Sequence, residues 1–408
     1  MSSYTTNRGP LLPAEIMDVV IDQLHLDLKM LGVCGTVCSE WLIRSRYHIF
    51  STVQLWPWRV RRFFELSRSR QCTFTSYVNC IEVNDAQAKL SGQQNDDDIL
   101  FHQVMSSSSL SRFSHIQSLR IQNVDWTLFS PANRDHLRER LATFTKLESL
   151  KFDDVMFHDL REVARITALF PSLRYLVANI QFSKYMEYTI TSATTLALPT
   201  CLEALRLGTD DAIPSFLSTT FKGSKLSSLV LDGVKFWHLQ YVGGVLRSLG
   251  DSLRHLQINF SRNDGQWVNS SDLAHLNLKH QKKLQSLHLG GITLVSQSPC
   301  ALETHIPSLL RGIPSTSNMK NLELDLIVDS EHALRFFGWS KLEHALVKIP
   351  RCRLSVNVVP SSVLAEVGGE EIRHFCEAAD RFLEGELKSL RKNDRLSVWI
   401  HGASTARL

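Results

Sequence analysis

With 408 residues, 43% of them hydrophobic, the chain has apolar material for either two domains or one small domain followed by an extended array. A formal charge of +4 gives no pull toward nucleic acid or an anionic membrane surface, and no run reaches the roughly 18–20 apolar residues a membrane span needs. Eight cysteines lie scattered rather than spaced as a disulfide scaffold, and the first ten residues carry no apolar leader, so the expectation is a soluble chain of the cytoplasm or nucleus.

Residues 1–10 are polar and expected to be disordered. From Leu11 to Leu55 the spacing predicts three short helices. Pro13 suits a first helical turn, and Ile16, Val20 and Leu24 then recur along one face. Asp27 is placed to cap a second helix carrying Leu28 and Leu31. A third carries Val37 and Trp41, with Cys38 beside them and Arg44 and Arg46 toward its end. So short a unit buries too little apolar surface to stand alone, and needs a partner or the next domain.

Leu12-Pro13-x-Glu15-Ile16, then Ile21, Leu24, Asp27, Leu31, Cys34, Val37-Cys38, Trp41 and Phe50 resemble the F-box. That motif docks a protein onto the Skp-type adaptor of a cullin-RING ubiquitin ligase. The resemblance implies that Leu12, Pro13, Glu15, Ile16, Leu31, Val37, Cys38 and Trp41 form the adaptor-binding set. Cys34 and Cys38, four apart, read as small buried residues of the motif rather than as metal ligands, because no companion ligands lie nearby.

Residues 56–76 follow as a connecting helix. Arginines and aromatics interleave here, as in nucleic-acid binders, but Val60, Phe63, Phe64 and Leu66 make an ordinary apolar stripe with Arg59, Arg61, Arg62 and Arg68 on the wet side.

From residue 77 an irregular repeat takes over. Ile116-x-x-Leu119-x-Ile121-x-x-Val124, Leu147-x-x-Leu150-x-Phe152-x-x-Val155, Leu226-x-x-Leu229-x-Leu231-x-x-Val234 and Leu284-x-x-Leu287-x-Leu289-x-x-Ile292 share one template. Weaker copies start at Val78, Leu173, Leu202, Leu253 and Met319, at steps of 24 to 35 residues from Ile116 onward. Alternation within each copy predicts a half-buried strand, and the stretches 135–144, 159–170 and 239–249 have helical spacing. This resembles the leucine-rich repeat. The fold class expected is therefore α/β: a small N-terminal three-helix F-box, then a leucine-rich-repeat-like solenoid of parallel strands and outer helices over residues 77–408. The chain departs from the repeat family where Val124, Val155, Val234 and Ile292 replace the usual Asn or Cys. An aliphatic group donates no hydrogen bond, so the usual ladder between turns is missing there. Residues 86–98 and the serine run 106–109 read as solvated linkers, and Asp96, Asp97 and Asp98 lack the companions of a calcium loop. Glu370 to Arg391 predicts an amphipathic capping helix, and Arg353–Val358 and Arg395–His401 alternate as closing strands.

The chain contains no Walker loop, no G-x-S-x-G elbow, no HExxH and no paired CxxC, so neither catalysis nor a cofactor is expected. The F-box resemblance implies a non-catalytic substrate-recognition subunit of an SCF-type (Skp, cullin, F-box) ubiquitin ligase in the ubiquitin-dependent degradation pathway. Its partners are the adaptor, through it a cullin, and an unidentified protein target. The alternative is a scaffold acting apart from ubiquitin transfer. The whole arrangement is more loosely similar to the large fungal F-box families. If the repeat leucines point inward, the residue between the last two faces out in every copy, which gives Arg120, Lys151, Val177, Arg206, Val230, Gln257, His288 and Glu323 as the target-binding row, with Asp325 adding to an acidic end.

Overall fold

The computed structural model describes residues 13–86, 99–183, 198–208, 216–217, 225–261, 275–296, 306–307, 309–310, 312–313, 318–361 and 369–401. The chain forms two compact units, Met1–Met156 with Leu169–Ser172, and Phe157–Ala168 with Leu173–Leu408. Among the described residues no helix is long and apolar enough to cross a membrane.

The first unit begins with α1 (Ala14–Gln23), α2 (Leu28–Cys34) and α3 (Ser39–Ser51). Asp27 caps α2 as expected, its carboxylate accepting from the Lys29 and Met30 backbone N–H groups at 3.1 and 3.0 Å. The face of α1 that turns inward is not Ile16/Val20 but the neighbouring line through Met17, Ile21 and Leu24. Ile21 is buried and Trp41 Nε1 donates to Met17 Sδ, while Ile16 and Val20 are exposed. Val37 lies before α3 rather than on it and is exposed. Cys34 is buried as expected, but Cys38, at the N-cap of α3, is exposed, so the two thiols do not share a buried environment.

No loop separates α3 from β1 (Thr52–Leu55), and α4 (Pro57–Arg68) carries the chain from there toward β2 (Cys80–Asn84). β1 pairs in parallel with β2, Gln54 opposite Glu82, so the strand ladder starts inside the stretch that resembles the F-box. Pro57 sits at the start of α4, where its missing N–H costs nothing, and Val60 and Phe64 form the buried side. After α5 (Leu100–Ser106) come β3 (Ser118–Gln122), α6 (Pro131–Leu141), capped by Ser130, and β4 (Ser149–Phe157); β2, β3 and β4 pair in parallel in that order. The solvated linker expected at 106–109 is corrected in part: Ser106 and Ser108 are exposed, but the run sits in a packed segment and not in a free loop. Leu100, Phe101, Val104, Met105, Leu110 and Phe113 are buried together, Ser109 is buried with them, and Arg140 donates to the Met105 and Ser107 carbonyls at 2.9 and 2.7 Å. Apolar residues at helical spacing on both sides of the serines hold this segment against the core and carry Ser109 inward. Residues 87–98, with the three aspartates, lie outside the described residues.

In the second unit α7 (Leu160–Thr167) is capped by Asp159. Then come β5 (Tyr175–Phe182), β6 (Ala204–Gly208), β7 (Ser228–Val234), α8 (Leu239–Leu249), β8 (His255–Phe260), β9 (Ser286–Leu294) and β10 (Asn321–Val328). The unit ends in α9 (Glu331–Leu334), α10 (Trp339–Val347), β11 (Arg353–Pro360), α11 (Gly369–Glu386), α12 (Lys388–Lys392) and β12 (Leu396–Ile400). From β5 to β12 each strand pairs in parallel with the next in sequence, the order of a repeat array. The expected capping helix is thus two helices, broken at Leu387. Ala379, Leu383, Leu387 and Leu390 are buried as its apolar face. Arg395 secures this end by donating to the carbonyls of Leu346, in the last turn of α10, and of Ile349 and Cys352 just past it.

The aliphatic residue where the repeat family has Asn or Cys has a backbone explanation. The residue before it holds a left-handed conformation in all four clear copies: Asn123 (φ 56°), Asp154 (φ 55°), Gly233 (φ 69°) and Gly291 (φ 71°). Asn, Asp and Gly are the residues that tolerate this region. Val124, Val155, Val234 and Ile292 then turn back into the core, all essentially inaccessible. In β7 and β9 the kink appears as a register shift, Asp232 and Val234 facing consecutive residues Asn259 and Phe260, and Leu289 and Ile292 facing Leu324 and Leu326. Each copy gains a third buried anchor, at roughly 1.5–3 kcal/mol for a fully buried aliphatic.

Candidate functional site

Two surfaces emerge from these elements. The first lies on α1 to α3. Nine large hydrophobic residues between Ile16 and Ile43 are exposed: Ile16, Val19, Val20, Leu26, Leu28, Met30, Val33, Val37 and Ile43. Half or more of Ile16 (50%), Val19 (56%) and Val37 (59%) is open to solvent. Beneath them the helices are pinned by charge. Arg44 donates through Nε and Nη2 to the two Asp22 oxygens, both at 2.6 Å, and His48 Nε2 lies 2.7 Å from Asp22 Oδ1. The hydrogen bond from Arg44, then that from His48, holds the Asp22 carboxyl far below the usual range. α1 is therefore tied to α3 by a polar clamp and a small apolar contact, and most of its aliphatic side chains are left outside.

Of the residues expected to bind an adaptor, Leu12 lies outside the described residues. Pro13, Glu15, Ile16, Val37 and Cys38 are exposed, and Trp41 is half-buried. Leu31 is fully buried between the helices, which makes it a support of this surface and not a point of contact. The residues with most to offer a partner that the motif did not mark are Val19, Val20, Met30, Val33 and Ile43. Their signal in the sequence is that α1 and α2 carry more aliphatic residues than one buried stripe can use.

The second surface is the outward face of the strands. In the first unit Gln54, Glu82, Arg120 and Lys151 are successive register partners. In the second, Val177, Arg206, Val230, Gln257, His288, Glu323, Ser355 and Ser397 follow one another. The expected row is therefore a physical row within each unit. Its charges, however, are mostly engaged by carboxylates two residues along the neighbouring strand. Arg120 donates to Asp153 at 2.6 Å and lies 3.7 Å from Glu82, and Arg206 donates to Asp232 at 2.7 Å. His288 Nε2 stands 2.6 Å from Asp325 Oδ2. Burial alone would lower the His288 pKa, but the hydrogen bond to Asp325 and the charges of Asp325, Glu323 and Asp232 raise it overall. Lys151 stays exposed.

This outer face also supplies the side-chain ladder that the aliphatic core positions lack. Asn123 Nδ2 donates to Asn84 Oδ1 at 2.9 Å, Asn259 Nδ2 to Asp232 Oδ1 at 2.6 Å, and Asn357 Nδ2 to Asp325 Oδ1 at 2.7 Å. Such cross-strand pairs hold register in a parallel sheet.

No protein-family model matches the chain, and no curated protein does either. Among solved structures it is similar to a chain of the crystal structure of the Rad7 and Elc1 complex in yeast. That likeness covers 90% of this chain and 87% of the other at 11% identity and a TM-score of 0.35.

Proposed function

We propose that the chain is the substrate-recognition subunit of an SCF-type ubiquitin ligase. The helices α1 to α3 dock on a Skp-type adaptor, and the outward face of the strands receives a protein target. The observation that supports this reading is the concentration of nine exposed large hydrophobic residues in the helices, and the turns between them, whose sequence resembles the F-box. Soluble proteins rarely leave so many in so short a stretch unless a partner covers them. Ile16 and Val37 belong both to the motif and to the exposed set.

In this reading the chain performs no bond chemistry. It raises the effective concentration of a target lysine near a charged conjugating enzyme brought by the cullin. The row from Arg206 to Glu323 offers scattered polar groups and shape rather than a pocket, as repeat arrays do. Its place of action is the cytoplasm or the nucleus. The test is affinity purification from cells with the proteasome inhibited, comparing the intact chain with Ile16→Glu/Val20→Glu. Adaptor and cullin recovered with the intact chain and lost with the variant support the proposal. Cullin recovered equally with both, or with neither, contradicts it.

A further inference from the structure

We propose that His288, Glu323 and Asp325 form a divalent-cation site on the outward face of β9 and β10, with zinc the ion that suits it best. One ligand atom from each residue lies within 4.8 Å of the other two, and among the described residues no other group of His, Cys, Asp and Glu meets that geometry. The backbone enforces the convergence. His288 and Glu323 are register partners, and Asp325 lies two residues beyond Glu323 on the same face.

The surroundings orient these side chains as outer-sphere partners of a metal do. Asn357 Nδ2 donates to one oxygen of each carboxylate, Glu323 Oε1 at 2.9 Å and Asp325 Oδ1 at 2.7 Å. The remaining oxygens point to the imidazole, Asp325 Oδ2 at 2.6 Å from Nε2 and Glu323 Oε2 at 3.9 Å from Nδ1. On the other flank a Cβ at Gly290 would stand 2.3 Å from Asn259 Oδ1 and 3.1 Å from Asp325 Oδ2, so only glycine allows that amide and that carboxylate to close in together. No Lys or Arg pairs with Glu323 or Asp325 among the described residues; His288 is the imidazole within bonding distance of Asp325, and the charge of His401 also acts on that carboxylate.

One imidazole with two carboxylates is too few ligands for calcium, which takes about six to eight oxygens, and fits zinc, which takes three protein ligands and a water. Binding through His288 Nε2 requires that nitrogen and Asp325 Oδ2 to part from 2.6 Å to about 3.3 Å, the edge of a tetrahedron with ligands at about 2.0 Å, and Glu323 Oε2, which now faces Nδ1 at 3.9 Å, to turn toward the Nε2 side. The site belongs to the second unit and stands independently of adaptor docking.

The experiment uses the full chain after chelator treatment, titrated with zinc alone by calorimetry, and then with cobalt(II) as a spectroscopic reporter. The intact chain should bind one equivalent more zinc than His288→Gln or Asp325→Asn. The cobalt spectrum of that equivalent should lack a thiolate charge-transfer band, which separates the site from the free cysteines. Glu323→Gln, at a more exposed position, removes a direct ligand and should weaken the same equivalent by more than the ~10-fold that loss of even an outer-sphere partner costs. It keeps the test decisive if the other variants do not fold. Equal zinc stoichiometry and affinity in the intact chain and every folded variant overturn the proposal, as does a thiolate band on the equivalent that differs.

Discussion

The three N-terminal helices and the strand ladder use aliphatic residues in opposite ways. In the ladder, Leu229, Leu231 and Val234 of one copy are all inaccessible, and the same holds for Leu150, Phe152 and Val155 of another. In α1 and α2, Ile21 and Leu31 are buried, while Val19, Val20, Leu28 and Val33 are left out. The ladder satisfies its apolar residues internally because each copy covers the next. The helices satisfy theirs only if something else covers them. An aliphatic stripe therefore has two meanings in this chain, core in one region and contact in the other, and only position in the fold tells them apart.

The strongest way to break the contrast is inside α2, where the two meanings are two residues apart. Leu31→Ala should destabilise the first unit by about 2–5 kcal/mol, as for other fully buried leucines, whereas Val33→Ala should stay within about 0.5 kcal/mol. Denaturant melts of the two variants are the check, and equal losses would mean that α2 packs differently.

A second test sharpens the ladder side. Gly291, with φ at 71°, would place a Cβ 2.3 Å from the Phe260 carbonyl oxygen. Gly291→Ala should then cost about 2 kcal/mol or more, from the left-handed backbone and the overlap together. A melting temperature unchanged by that substitution would remove the kink from the account of how Ile292 reaches the core.

How much of this was legible in the sequence follows the same division. Period-two alternation reports burial directly, so each expected copy, the weak ones at Val78, Leu202 and Met319 included, is a strand beginning two residues after its start. Helical periodicity reports only that a face is apolar. α1 offers two such lines, through Ile16 and Val20 or through Met17 and Ile21, and the choice was settled by Trp41 and Arg44 of α3, distant in sequence. The left-handed residue ahead of Val124, Val155, Val234 and Ile292 had a signal, Asn, Asp, Gly and Gly at equivalent positions, that the leucine template does not weight. The pairing of Arg120 with Asp153 and of Arg206 with Asp232 depends on register between strands that only the fold supplies.

The smallest effect tests the stretch the sequence suggested was wet. Asp85, only 2% exposed beside the start of α5, accepts from backbone N–H groups of Leu100 and Phe101, and burial pushes its pKa from 3.8 up to about 6. A carboxyl raised in the folded state favours the protonated fold, so stability present below pH 3.8 is lost as pH climbs through about 6. Asp85→Asn should raise stability at pH 7 by about 1–2 kcal/mol, and the gain should vanish near pH 4. Melting curves at the two pH values measure it, and an equal effect at both would mean that residues 99–113 do not shield the carboxyl.

The central claim, that the exposed residues of α1 to α3 form a docking face, is tested most directly by titrating a purified Skp-type adaptor with the intact chain and with Ile16→Glu/Val20→Glu, and measuring the melting temperature of both. Two central apolar anchors at about 2 kcal/mol or more each predict a loss of at least ~100-fold in affinity at unchanged melting temperature. An unchanged isotherm, or no binding by the intact chain, would contradict the account.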